Sequence, residues 1–323
     1  MSQKEAFKQH IEEGYTFDGG VIEIGAAMLD GEVQTGNIVK LPLKMLNRHG
    51  LIAGATGTGK TKTVQILAEQ LSENGIPSML IDIKGDLSGV AIKGEANPKL
   101  TERHEKIGID AFSPGESPIE FLTISDEPGV RLRATVHEFG PVLFSKILGL
   151  NDTQTGIFSV IFKYCTDNDL ALLDFNDVKD ALKFAMSDEG NAEIEKEYGK
   201  ISATSIGVIL RQIAALEEQG AERFFGEPSF EVMDLMKTRG GKGIVNIMRV
   251  TDLQTKPKFF STFMLQLLAE IYETLPEEGD LEKPKFVMFI DEAHLIFSDD
   301  TPCLLYTSPS PRDQRGSRMP SSA

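Results

Sequence analysis

Cysteine is scarce: the chain has two, Cys165 and Cys303. That is too few for a disulfide framework, so a reducing cytoplasm is the expected setting. No Cys/His cluster has the spacing of a metal site. Long apolar runs are also missing. A stretch such as Phe286 to Ile290 falls far short of the roughly 20 residues a membrane helix needs. The polar segment Met1 to Glu13 has no apolar core for a signal peptide, and no membrane contact is expected. Positive charge is in short supply, with 33 Lys and Arg against 49 Asp and Glu, a balance of −16. Such a surface repels phosphate backbones over most of its area, so any nucleic-acid contact has to be local, in a lined channel or loop. No internal repeat is visible. The 323 residues are 41% hydrophobic and 25% charged, an ordinary globular composition that excludes disordered, collagen-like and coiled-coil classes. The length has room for one large domain or two ordinary ones.

The sequence changes character at Cys303. Up to Asp300 it is acidic and apolar-periodic; from Cys303 to Ala323 it is rich in Ser, Pro and Arg and has no periodicity. Composition alone reads this as a disordered tail. A sharper reading is that Cys303 to Asp313 resembles the translation of a transposon-end adapter used in sequencing libraries. Ser317 to Ala323 resembles its in-frame continuation, and Gln314 to Gly316 fills the place of an index barcode. The expectation is that 303–323 is a non-native, adapter-derived tail and that the natural chain is cut off near Pro302. Because the tail holds three Arg and one Asp, residues 1–302 carry 30 basic and 48 acidic side chains, a balance of −18. Cys165 is then alone, most simply a buried small apolar residue.

Five segments follow from the patterning. Residues 1–48 form a short β-rich lead-in, with apolar runs broken by turn signals at Asp18-Gly19-Gly20, Asp30-Gly31 and Thr35-Gly36-Asn37. Residues 49–130 hold a βαβ unit. His49 to Gly54 reads as a short strand, and Val64, Leu67, Ala68 and Leu71 give a helix from Thr61 that stops at Asn74-Gly75. Ser78 to Ile83 reads as a second strand, which implies a parallel sheet; residues 85–130 read as loops and edge strands. Residues 131–240 are a mostly helical insertion, with helices expected over Val136–Leu148, Ile157–Tyr164, Phe175–Met186 and Ile201–Glu218. Residues 241–302 continue the core, with a strand at Gly243–Val250, a long helix at Pro257–Leu275 and a buried strand at Lys285–Ile290. The fifth segment is the 303–323 tail.

Gly54-Ala55-Thr56-Gly57-Thr58-Gly59-Lys60-Thr61 fits G-x-x-x-x-G-K-[ST] in full. Glycines let the backbone curl so that successive N–H groups face phosphate oxygens, and the following helix presents its positive end to the same anion. Lys60 would reach the β- and γ-phosphates of ATP, and Thr61 would offer its hydroxyl to Mg²⁺; Lys62 is grouped with the loop as a nucleotide contact. Opposite it, the apolar run Phe286 to Ile290 leads straight into Asp291-Glu292. Asp291 would orient the Mg²⁺ shell and Glu292 would polarise the attacking water, since ligands gather at strand carboxyl ends. His294 completes Asp-Glu-Ala-His, a superficial likeness to DEAH helicases unsupported by any other motif of theirs.

Lesser signals carry two readings each. Asp82-Ile83-Lys84-Gly85-Asp86 holds either a coupling residue or solvated turn charges. Arg131 and Arg133 either act across a subunit boundary or start an exposed helix. Thr238 to Lys242 is either a DNA-facing loop or a plain hairpin turn. The Phe259, Phe260 and Phe263 set reads as core, and Glu193 to Glu197 as a solvated helix face.

Several runs together resemble the bacterial HerA-like ATPases of the HerA/FtsK superfamily: Ile52 to Thr63, Leu80 to Gly89, Phe225-Gly226-Glu227-Pro228 and Phe289 to Phe297. The likeness covers nearly all of 15–300. It implies an α/β, RecA-like P-loop core with a parallel sheet and a large helical insertion, a ring of identical subunits, expected to be a hexamer, and ATP-driven work on double-stranded DNA. By that likeness Lys60 and Thr61 bind nucleotide and Mg²⁺, Asp291 assists the metal and Glu292 is the catalytic base. The N-terminal stretch is too short for the β-barrel of HerA proper, and the core strands and polar sensor expected after the acidic pair are absent. The chain as it stands is therefore expected to bind nucleotide poorly and turn it over slowly or not at all. Two other functions compete: a nucleotide-gated scaffold that remodels a protein and ignores DNA, favoured by the acidic balance, and a small-molecule kinase, disfavoured by Glu292.

Overall fold

The computed structural model describes residues 2–109, 115–275, 279 and 281–292. His294 and the whole 303–323 tail lie outside the described residues. In chain order the elements begin with α1 (Gln3–Gly14), β1 (Val21–Leu29), β2 (Glu32–Pro42), α2 (Lys60–Glu73), β3 (Ser78–Asp82), α3 (Pro98–Ile107), β4 (Ile119–Thr123) and β5 (Val130–Arg131). The helices α4 (Val136–Leu148), α5 (Asp152–Asp167), α6 (Phe175–Met186), α7 (Asp188–Tyr198), α8 (Ala203–Glu217) and α9 (Val232–Leu235) come next. Last are β6 (Thr238–Arg239), β7 (Lys242–Gly243), β8 (Val245–Arg249), α10 (Pro257–Thr274) and β9 (Val287–Ile290). The described residues divide into two compact units, one drawn from 2–122, 233–249 and 279–291, the other from 123–232, 250–275 and 292. The long helix α10 therefore groups with the helical unit, and the segment 241–302 is shared between the two.

The first unit is built on parallel pairing. β3 has β8 on one side and β9 on the other, both parallel, with Ile81 opposite Met248 and Ile290. Every residue of β3 is buried, as expected of a central strand covered on both faces. Ala68 of α2 packs with Leu80, Leu87, Val90, Val245 and Ile247. Leu71 joins Ile22, Leu43 and Ile76 in a neighbouring cluster. The helix ends where its sequence signals it: Asn74 and Gly75 donate to the carbonyls of Gln70 and Ser72, Ile76 donates to that of Leu71, and Gly75 is left-handed at φ 70.

The lead-in is an antiparallel β1–β2 hairpin that turns at Asp30 and Gly31, both left-handed (φ 51 and 82). Two helices were not expected. α1 starts with a capping box between Ser2 and Glu5 and buries no residue, so its apolar periodicity is weak. α3 starts at Asn97, whose side chain caps it before Pro98, and ends on left-handed Gly108. The strand expected over His49 to Gly54 does not form. Residues 49–55 are irregular, with Leu51 87% exposed, because strand character comes from a ladder partner and no described strand pairs with them. Thr238 to Lys242 is a plain hairpin, β6 against β7, with Gly240 and Gly241 both left-handed.

The second unit is helical. α4 pairs with α5, α8 and α10, and α6 with α5, α7 and α8. α4 bends at Gly140 (φ 65, ψ 165), just before Pro141. Its core is aromatic: Phe144 lies 5.3 Å from the ring of Phe158 and 5.6 Å from that of Phe225, and Phe224 lies 5.7 Å from Phe263. Phe259, Phe260 and Phe263 are buried, as the core reading requires. Glu193, Glu195 and Glu197 are exposed on α7 around buried Ile194. Arg131 does not start a helix: it lies in the exposed strand β5. Arg133 donates to the Glu227 carbonyl at 2.8 Å. Among the described residues no helix is long and apolar enough to cross a membrane.

Candidate functional site

The loop Gly54–Lys60 stands at the start of α2 in the first unit, exposed along nearly its whole length. Gly57 and Gly59 are left-handed, at φ 80 and 99, a conformation that side chains other than glycine adopt at a cost. Gly54 is constrained for a different reason: a Cβ there would lie 2.5 Å from Thr58 Oγ1, so the Thr58 side chain would have to shift. Thr58 closes the turn by donating from Oγ1 to the Ala55 carbonyl at 2.8 Å. Each helix from α4 to α8 opens with a side-chain cap. α2 opens on Gly59 with none, and its first turn holds no acidic residue. No side chain of its own first turn or N-cap occupies its positive end, a setting that suits an anion.

Lys60 turns its Nζ back into the loop, donating to the carbonyls of Gly54 (2.7 Å) and Ala55 (3.1 Å). Thr61 donates from Oγ1 to Asp86 Oδ2 at 3.0 Å. Lys62 points elsewhere, donating to Gln65 Oε1 of its own helix at 2.8 Å, so this geometry does not bring it to the loop with Lys60. Gln65 in turn donates to the Asp86 carbonyl at 3.0 Å. Of the two readings of Asp82 to Asp86, solvated turn charges do not describe Asp82. Its carboxylate is fully buried and accepts from the Gly85 N–H at 2.7 Å and the Ser88 hydroxyl at 3.1 Å. The contact of Asp86 with Thr61 was not legible, because the two residues are 25 apart in the chain; the only signal was a carboxylate in the turn after a strand expected to face the nucleotide.

The acidic pair follows β9. Register places Ile290 beside Ile81, so Asp291 and Asp82 each stand one residue past a paired position at the carboxyl ends of neighbouring parallel strands. Arg249, opposite Asp82, ends β8 at the same edge. This is where open parallel sheets hold their ligands. Glu292 takes a left-handed backbone, φ 51, a strained setting for a side chain of its size and one that tends to mark functional positions.

The oxygens beside the loop, the Thr61 hydroxyl and the Asp86 carboxylate it meets, are hard donors of the kind that suit Mg²⁺. Among the described residues no group of three or more His, Cys, Asp or Glu could hold a metal by itself. Mg²⁺ commonly takes only one or two protein side chains and completes its shell with water and phosphate oxygens.

A glycine-rich loop running into an uncapped helix beside a parallel sheet defines the RecA-like P-loop fold. The chain belongs to the helicase HerA-like C-terminal family, whose model matches residues 28–307. It is 24% identical over 290 residues to the DNA double-strand break repair helicase HerA of Sulfolobus acidocaldarius, covering 86% of this chain and 52% of that protein. A shorter match to the protein of the same name from Saccharolobus solfataricus is 34% identical over 79 residues, covering 22% of this chain and 16% of the relative. The chain thus spans about half the length of the first of these relatives. The solved structure of the bacterial conjugative coupling protein TrwBdeltaN70, in its unbound monoclinic form, superposes with a TM-score of 0.51 at 15% identity, over 93% of this chain and 66% of that one. At that identity the likeness concerns the fold alone.

Proposed function

We propose that this protein hydrolyses ATP as a ring-forming P-loop ATPase, in homo-oligomers expected to be hexamers in the cytoplasm. Hydrolysis would drive its movement along, or remodelling of, double-stranded DNA. The observation that carries the proposal is the Gly54–Thr61 loop: two left-handed glycines, an uncapped helix start and an ammonium held inside the loop. Family membership and the DNA double-strand break repair role of the HerA relatives support the DNA half of the reading. On binding, the N–H groups of the loop and of the first turn of α2 take the phosphate oxygens. The Lys60 ammonium leaves its two carbonyls for the outer phosphates. Thr61 and Asp291 would hold Mg²⁺, which supplies neutralisation of the charge that builds on the transferred phosphoryl group. Glu292 takes a proton from the attacking water.

The acidic balance of −16 favours a second reading, an ATPase that remodels a protein. One experiment separates the two: the ATPase rate of the full-length protein, with and without double-stranded DNA, alongside Glu292→Gln. Stimulation by DNA together with a loss of about 10²–10⁴-fold in the variant is expected. Turnover indifferent to DNA but dependent on Glu292 would leave an ATPase with a protein substrate, and turnover indifferent to Glu292 would refute the base assignment.

A further inference from the structure

The turn after β3 is fixed more firmly than a surface loop requires. Buried Asp82 closes it through the Gly85 N–H and the Ser88 hydroxyl. Leu87 and Val90 dock it against Ala68 of α2 and Leu80 of β3. Gln65 holds the Asp86 carbonyl at 3.0 Å, and Lys62 steadies Gln65. The result is a carboxylate held against the first turn of α2, with Oδ2 accepting the Thr61 proton at 3.0 Å. A threonine hydroxyl has one proton and two lone pairs. With its proton committed to Asp86, its lone pairs are free for a cation, and a hydroxyl that donates to a carboxylate is the better electron donor.

Resting on the ATP-binding reading above, we propose that Asp86 is a positioning residue: by accepting the Thr61 proton it fixes that hydroxyl's rotamer and turns its oxygen towards the Mg²⁺ of a bound nucleotide. The competing explanation is local. A carboxylate near a helix start also steadies the helix through its dipole, and removing it would then weaken the loop with or without metal. The two explanations differ in their dependence on Mg²⁺.

The test is equilibrium binding of a fluorescent ATP analogue to the purified full-length protein, across a Mg²⁺ titration and in excess EDTA. For Asp86→Ala the Mg²⁺ concentration at half-effect should rise about 10- to 100-fold, the usual cost of losing a group that orients a metal ligand. Affinity in EDTA should stay the same or rise slightly, because a negative charge beside the phosphates has gone. Asp86→Asn keeps an acceptor oxygen and should recover much of the loss. In a Thr61→Ala background, Asp86→Ala should add nothing, since its effect passes through that hydroxyl. An unchanged Mg²⁺ midpoint, an equal loss of binding in EDTA, or additivity with Thr61→Ala would each overturn the proposal. A wild-type protein that binds the analogue neither with Mg²⁺ nor with EDTA would instead refute the ATP reading itself, and this inference with it.

Discussion

Gly243→Ala tests the packing of the parallel-sheet unit at a close backbone approach. A Cβ on Gly243 would lie 2.2 Å from both the carbonyl carbon and oxygen of Ile76 and 2.5 Å from Pro77 N. These are backbone atoms that no rotamer change can move aside. They sit between the end of α2 and the start of β3, and both neighbouring connections run through this point. Ser72 Oγ donates to the Gly243 carbonyl at 2.6 Å, and the Ser78 N–H donates to the Ile244 carbonyl at 3.0 Å. Overpacking costs about 1–3 kcal/mol, and a weakened buried hydrogen bond adds about 1 kcal/mol. The substitution should therefore destabilise this unit by about 2–4 kcal/mol. In urea, with a slope of about 2 kcal/mol/M, the transition should move down by about 1–2 M. Gly25→Ala is the control, because a Cβ there meets nothing within 4 Å, and its transition should shift by less than about 0.5 kcal/mol. A Gly243→Ala midpoint that coincides with wild type would refute this reading of the α2–β3 junction.

Two further expectations concern the helical unit. Phe144→Ala removes a fully buried ring with neighbours Phe139, Phe158, Phe175 and Phe225 at 6.2, 5.3, 6.0 and 5.6 Å. Urea unfolding should register a loss of about 3–5 kcal/mol; Val142→Ala, at an exposed position of the same helix, should be nearly silent. Burial, with Asp177 adding to it, pushes the Cys165 thiol up to about 11. In a Cys303→Ser background the folded protein should resist thiol reagents at pH 8 and react fully once unfolded. The sign of the stability effect follows. The unfolded thiol ionises first as pH rises, so this group's contribution is intact below about 9 and is lost between 9 and about 11. Native labelling as fast as that in urea would contradict the burial of Cys165.

Local rules made the helical unit readable. α4 and α6 lie where apolar periodicity put them, Val136–Leu148 and Phe175–Met186, and both begin on side-chain caps that the sequence spells out, Thr135 and Asp174. α3 carried equally clear signals, Asn97, Pro98 and Gly108, but exposes most of its surface, so periodicity alone passes over it. α1 was hidden for the same reason. The stretch 49–54 shows the opposite error: its residues favour a strand, yet a ladder depends on a partner elsewhere in the chain. The phosphate loop was legible because eight adjacent residues suffice to form it. Asp86 was not, because its meaning depends on the packing that brings a turn after β3 onto α2.

The ammonium of Lys60 is tied to the carbonyls of Gly54 and Ala55, so the loop holds its own cation by two internal hydrogen bonds. On the ATP-binding reading proposed above, Lys60 would exchange those two carbonyls for phosphate oxygens. The net gain from that contact would then be the difference between two sets of hydrogen bonds and not the full strength of either, and each binding event would include a side-chain rearrangement.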